Sequence, residues 1–185
     1  LLQLKQTIDE KFLVGYYVAA KSLSMIPYFL ITRNLIAVLR PAFVEAVSTN
    51  NANQAFYYLK KSFKFFLVLF LPLSISFFIT GRDVMSFIYP QAYGRAGMSL
   101  AFFFTGISGY SFFIILSSFY QVSGKARVAF IYMFLLLVIQ FYLSSLFIQR
   151  WGFDGAALAV FVTGILGGLW FTVLARSCLD LSFLP

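Results

Sequence analysis

Histidine is absent from this chain, cysteine occurs once, at Cys178, and only 6 of the 185 residues are acidic. Without histidine, hydrolytic and acyl-transfer chemistry loses its commonest general base. A single cysteine supports neither a disulfide framework nor a thiolate metal set. Charge of either sign is also scarce, at 11% where soluble domains carry roughly 25%. Against these gaps stand 61% hydrophobic and 21% aromatic residues, with 25 Phe, a balance that excludes an ordinary soluble domain. Residue 1 is Leu, and no basic segment with a cleavage site precedes the first apolar run, so no signal peptide is read and the chain is expected to be part of a longer one.

Three runs carry no charge at all: Ala96 to Gly124, Val128 to Gln149 and Gly155 to Ala175. Each meets the roughly 20 residues that a helix needs to cross about 30 Å of hydrocarbon. In lipid the backbone must satisfy its own polar groups, and apolar runs of this length do so as helices. The expected fold is therefore all-α: a polytopic membrane helical bundle of about five transmembrane helices plus short interfacial helices. The spans are read at about 12–39, 65–81, 97–122, 128–149 and 155–175, with 1–11 and 176–185 as flanking segments.

The first span is unusually polar, carrying Lys21 and Arg33 on either side of Pro27, and Arg40-Pro41 is expected to close it. The polar stretch Glu45 to Gln54 reads as a helix end and a short loop. Residues 55–64 set Phe56, Leu59 and Phe63 against Lys60, Lys61 and Lys64, an interfacial amphipathic turn leading into lipid. Pro72 predicts a kink or break in the second span, and Gly81-Arg82-Asp83 its end. Residues 83–96 read as a short surface helix and a turn, with Tyr89 and Tyr93 at interfacial depth. The short Ser123–Arg127 loop forces an antiparallel pair, and Trp151–Asp154 precedes the last span.

A net charge of +8 does not point to nucleic acid, because the basic residues lie singly or in short clusters between apolar runs. They read as topology signals. Arg40, Lys60, Lys61, Lys64, Lys125, Arg127 and Arg176 fall on one side, and Lys5, Lys11, Arg82, Arg95 and Arg150 on the other. The lysine-rich side is thus expected in the cytoplasm.

Cations inside a span are costly and usually face a protein interior or a wet cavity, which makes Lys21 and Arg33 the candidate site, with Arg40 on Arg33's face. The alternative is that both snorkel to opposite interfaces. They lie about 18 Å apart along a helix, and Lys21 is offset by about 120° from Arg33 if that helix is straight, an angle that a kink at Pro27 reduces. The later spans hold no Asp, Glu or His for an ion relay. Tyr120, Gln121 and Gln140 read as interhelical hydrogen-bonding groups. Gly155, Ala159, Thr163 and Gly167, with Ala156, Gly164 and Gly168 beside them, form a small-residue stripe that admits a close helix neighbour. Trp151 and Trp170 read as interfacial anchors.

Several local patterns occur together: Val14-Gly15-Tyr16-Tyr17 followed by Ala19-Ala20-Lys21; Leu39-Arg40-Pro41; Leu71-Pro72; Ile88-Tyr89 with Ala92-Tyr93; Ser123-Gly124-Lys125-Ala126-Arg127; and Trp151-Gly152-Phe153-Asp154-Gly155-Ala156-Ala157. In this order the chain resembles the C-terminal half of a polysaccharide biosynthesis flippase of the O-antigen transporter type. That family belongs to the multidrug/oligosaccharidyl-lipid/polysaccharide exporter superfamily. The resemblance implies two helical bundles rocking about a central cavity, moving an undecaprenyl-diphosphate-linked oligosaccharide across the inner membrane. It implies Lys21 as a diphosphate contact and membrane lipids and a missing N-terminal bundle as partners, while the composition leads us to expect no cofactor, metal or nucleic acid. Arg33 has no counterpart in the family pattern.

Three other readings stand beside it. A drug or organic-cation exporter of the same superfamily is disfavoured by a cationic cavity without carboxylates. A membrane-embedded glycosyl- or acyltransferase has only Asp83, Asp154 and Glu45 to draw on, widely separated in sequence. A scaffold whose cations merely snorkel is the third alternative.

Overall fold

The computed structural model describes the backbone of residues 2–49 and 51–181, and side chains within 13–49 and 51–170 except Ala52. Lys5, Lys11, Arg176 and Cys178, named above, lie outside the described side chains. The described backbone is helical with no strand, and four of its helical segments are long and apolar enough to cross a membrane. The expected helical membrane bundle is what the chain forms.

Helix α1 (Leu2–Pro27) passes into a π-helical turn (Tyr28–Arg33) and then α2 (Asn34–Ser48), so the first rod is continuous. Arg40-Pro41 does not close it. Proline costs a helix one hydrogen bond, and within an apolar rod held by neighbours that loss is tolerated. The rod ends at Thr49, whose N–H reaches the Glu45 carbonyl at 3.0 Å. Asn51 then caps α3 (Ala52–Ile88), its side-chain oxygen accepting from the Gln54 N–H at 3.1 Å.

At Pro72 the helix α3 does not break but runs on through the proline, which lies on an exposed face, and the end expected at Gly81-Arg82-Asp83 is overturned, because the helix passes it without stopping. Gly81 is a contact rather than a terminator: a Cβ there would meet the Gly97 carbonyl oxygen at 2.6 Å. The stop comes at Tyr89, extended (φ −118°, ψ 167°) as a residue before proline must be. The surface helix expected at 83–96 is therefore the end of α3 followed by a 3-10 turn (Gln91–Ala96).

Helix α4 (Gly97–Val122) matches the third expected span. The Ser123–Lys125 turn, with Gly124 at φ +72°, leads into α5 (Ala126–Leu181). Gly152 (φ 60°, ψ −133°) breaks α5 into two arms, 126–151 and 153–181. Contacts between Tyr132 and Trp170 (ring centroids 5.2 Å), Gln140 and Thr163, and Phe147 and Gly155 show that the arms run antiparallel.

Helix α4 is the centre of the bundle, packing against α1, α2, α3 and α5. Its glycines explain the closeness: Cβ atoms on Gly106 or Gly109 would run into the backbone of Val160 and Gly164 on the second arm. Of the small residues read from the sequence, Gly164 and Gly168 form this seam, while Gly155 lies against Phe147 of the first arm. A phenylalanine core formed by Phe43, Phe66, Phe70, Phe104 and Phe119 fills the space towards α2 and α3.

Candidate functional site

In an unbroken α-helix at about 100° per residue, the buried face of α1 (Tyr16, Ala19, Ala20, Ser24) would lie about 130° from that of α2 (Leu39, Phe43, Ala46). The π turn removes most of that mismatch, because i→i+5 bonding takes one extra residue, about 100°, into a single turn. Thr32 within it is fully buried, and its hydroxyl lies 3.0 Å from that of Ser111 on α4. Both halves of the rod can therefore face α4. The same correction cuts the offset between Lys21 and Arg33 from about 120° to about 20°, so Lys21, Arg33 and Arg40 form one stripe. All three are exposed.

Their depths differ. On α3, Lys64 and Arg82 are separated by about 27 Å at 1.5 Å per residue, close to the thickness of a hydrocarbon core. The Tyr17 ring packs on Phe103 and the Phe77 ring on Phe104, with centroids 5.1 and 4.7 Å apart, which sets Tyr17 about 8 Å inside the Arg82 level. The Lys21 backbone lies one turn further, near the middle of the belt, and its side chain turns back so that the ammonium is 5.9 Å from the Tyr17 ring centroid. Arg33 follows Thr32, which bonds beside Phe112, and Phe112 packs on Phe63 and Phe66, at the Lys64 level. Arg40 is level with Lys61 across the α2–α3 hairpin, where Leu35, Leu39, Lys61 and Ser62 line one shallow groove. The two intramembrane cations expected from sequence thus separate into one at mid-depth and one at the lysine-rich edge.

Next to Lys21 on the same helix face, Met25 and Tyr28 form one wall of a groove of about 660 Å³. Its floor is α4 (Ile107, Tyr110, Ile114) and its other wall the first arm of α5 (Met133, Leu137, Gln140). Lys21, Arg33 and Arg40 do not line it. Tyr110 donates to the Thr163 hydroxyl oxygen at 3.0 Å, Thr163 bonds the Gln140 amide oxygen, and Gln140 donates to Ser144 at 3.0 Å. Gln140 therefore does link helices, as its position suggested, through two partners that sequence reasoning did not single out in that role. Gln121 instead reaches Ser117 on its own helix at 3.4 Å.

The three acidic candidates stay apart. Asp83 and Glu45 are exposed on different helices, and Asp154 accepts a hydrogen bond from Ser99, tying the second arm to the start of α4. No group of three or more metal-ligating side chains occurs among the described residues. Near Asp154, Tyr16 packs edge-on against Tyr93 (4.8 Å) and Tyr93 stacks on Tyr89 (5.3 Å), an aromatic collar at the depth expected of tyrosine.

A family model described as lipid II flippase MurJ matches residues 10–183. No curated protein and no solved structure matches the chain.

Proposed function

Because the chain belongs to the lipid II flippase MurJ family, we propose that its cationic stripe carries the diphosphate of a polyprenyl-linked saccharide through the membrane. Members of this family move lipid-linked precursors across the membrane and are transporters, not enzymes; the chain is a multi-pass membrane protein of that kind. The match agrees with the resemblance to polysaccharide flippases at the level of the superfamily. Within it, an undecaprenyl-diphosphate-linked precursor of the lipid II class is the substrate favoured, and the bacterial inner membrane its location.

The feature that supports this reading is Lys21: a cation rooted near the middle of the apolar belt with its ammonium turned back over Tyr17, exposed, and on one stripe with Arg33 and Arg40. An ammonium at that depth is costly facing lipid and is stabilised beside water or an anion. A diphosphate in a low-dielectric passage needs such a partner. Arg40 and Arg33 mark the lysine-rich entrance, Lys21 the midpoint, and a second bundle of the same transporter supplies the opposite wall. Transport is then rocking of one bundle against the other, with no covalent step.

The test uses the full-length protein in cells depleted of their own flippase, and in vesicles given labelled lipid II. Lys21→Ala is expected to lower flipping about tenfold or more, the worth of one charge-assisted hydrogen bond, and Lys21→Arg to restore most of it. Export of lipid II at the parent rate by Lys21→Ala would overturn the site. Movement of an O-antigen precursor but not lipid II would reassign the substrate to cell-surface polysaccharide synthesis.

A further inference from the structure

A second groove, on the side of the bundle away from Lys21, has no part in the passage just described. It holds about 460 Å³ between α3, α4 and the second arm of α5. Its floor is Phe66, Phe70, Ser108 and Phe112, all buried. Its walls are exposed aliphatic and aromatic side chains, Leu67, Leu71 and Ile75 on α3 facing Ile165 and Leu169 on the arm. The hydroxyls of Thr105 and Ser108 are turned back onto the Ala101 and Phe104 carbonyls (2.9 and 2.7 Å), which leaves the groove little to offer water.

The two ends of the groove differ. At one end, Phe78, Phe102 and Phe161 meet with ring centroids 5.5 to 6.3 Å apart and close it. At the other end, the outer wall continues into cations: Lys60, Lys64, Leu67, Leu71, Ile75 and Phe78 follow one helical row. Lys60 and Lys64 are exposed and one turn apart, and α3 holds no acidic residue before Asp83. From Phe63 to Phe78 the groove runs about 22 Å, somewhat more than one leaflet's share of the hydrocarbon, about 15 Å.

We infer that this groove is a binding site for an anionic diacyl phospholipid of the lysine-side leaflet, with its phosphate between Lys60 and Lys64 and one acyl chain in the cleft. Charge complementarity selects the headgroup. The aromatic stop selects an acyl chain of ordinary length over a long polyprenyl tail, which would have to leave the groove before its end.

The experiment is native mass spectrometry of the full-length protein released from detergent with phosphatidylglycerol, phosphatidylcholine or a polyprenyl diphosphate. Retention of phosphatidylglycerol over phosphatidylcholine is expected. Lys60→Gln/Lys64→Gln is expected to weaken it about 25-fold, about fivefold for each juxtamembrane cation, while Arg127→Gln at the start of α5 leaves it unchanged. Leu71→Trp, which fills the cleft and leaves both lysines, is expected to reduce retention as well. Equal retention of the two phospholipids, or unchanged phosphatidylglycerol binding in the double variant, would overturn the site. Displacement of phosphatidylglycerol by the polyprenyl diphosphate would also overturn it and hand the groove to the substrate's tail.

Discussion

The π turn makes an unusual prediction about deletions. If it holds one residue more than an α-helix needs, removing an exposed residue from it, Leu30 (64% exposed), converts the rod to plain α-helix and leaves both faces where they are. Removing exposed Ala37 instead turns everything beyond it by about 100°. Phe43, now fully buried with its ring 5.5 Å from that of Phe119, would then leave the core. Loss of its contacts alone costs about 3 to 5 kcal/mol, as when a large buried aromatic is truncated. The assay is denaturant or thermal unfolding of the purified full-length protein in detergent, followed by flipping in vesicles. Leu30 deletion is expected to cost less than about 1.5 kcal/mol, in the range of a conservative core change, and to keep part of the activity. Equal damage from the two deletions would refute the phase argument and with it the alignment of Lys21 with Arg33.

The glycine seam predicts that Gly109→Ala pushes α4 off the second arm of α5 and costs about 1 to 3 kcal/mol of stability, read in the same unfolding assay. Gly152→Ala forces a left-handed backbone on a residue with a Cβ and is expected to cost about 1 to 3 kcal/mol, although nothing lies within 4 Å of the new methyl group. Thr32→Val removes the hydrogen bond to Ser111, whose own hydroxyl still donates to the Ile107 carbonyl at 2.9 Å. The expected loss is about 0.6 to 1.7 kcal/mol, and a far larger value would mean that the π turn itself had collapsed.

Much of this architecture is legible in the residue order because lipid leaves the chain few choices. The charge-free runs mark α4 and the arms of α5, Gly124 and Gly152 mark the two reversals, and the small residues from Gly155 to Gly168 mark the closest packing. Punctuation was harder to read. Pro41, Pro72 and Gly81 resemble stops, yet the helices run on through both prolines, which lie on exposed faces, and Gly81 lets Gly97 approach. Among the described prolines, Pro90 is the one after which a rod stops, because the Tyr89 backbone before it is extended. The π turn leaves no local trace, since it arises from a mismatch between the buried faces of α1 and α2 that only tertiary contacts reveal. Lys21 and Arg33 could be named as intramembrane cations, but their depths depend on how the rod leans against α4, and residue spacing does not encode that lean. The second groove escaped sequence reading because its row of Lys60, Lys64, Leu67 and Leu71 begins in what looked like a separate interfacial turn.

The enclosure of α4 bears on how the protein is made. Its serines at 99, 108 and 111 and its glycines at 106 and 109 are surrounded by protein in the finished molecule, but the partner for the glycine face lies at Val160 and Gly164, some fifty-five residues further on. At about 5 to 20 residues per second, the ribosome takes about 3 to 11 seconds to supply it. Through that interval the helix must sit against lipid with its notched side bare, so biogenesis, more than the finished state, is where crowded membranes or a waiting chaperone would find a hold.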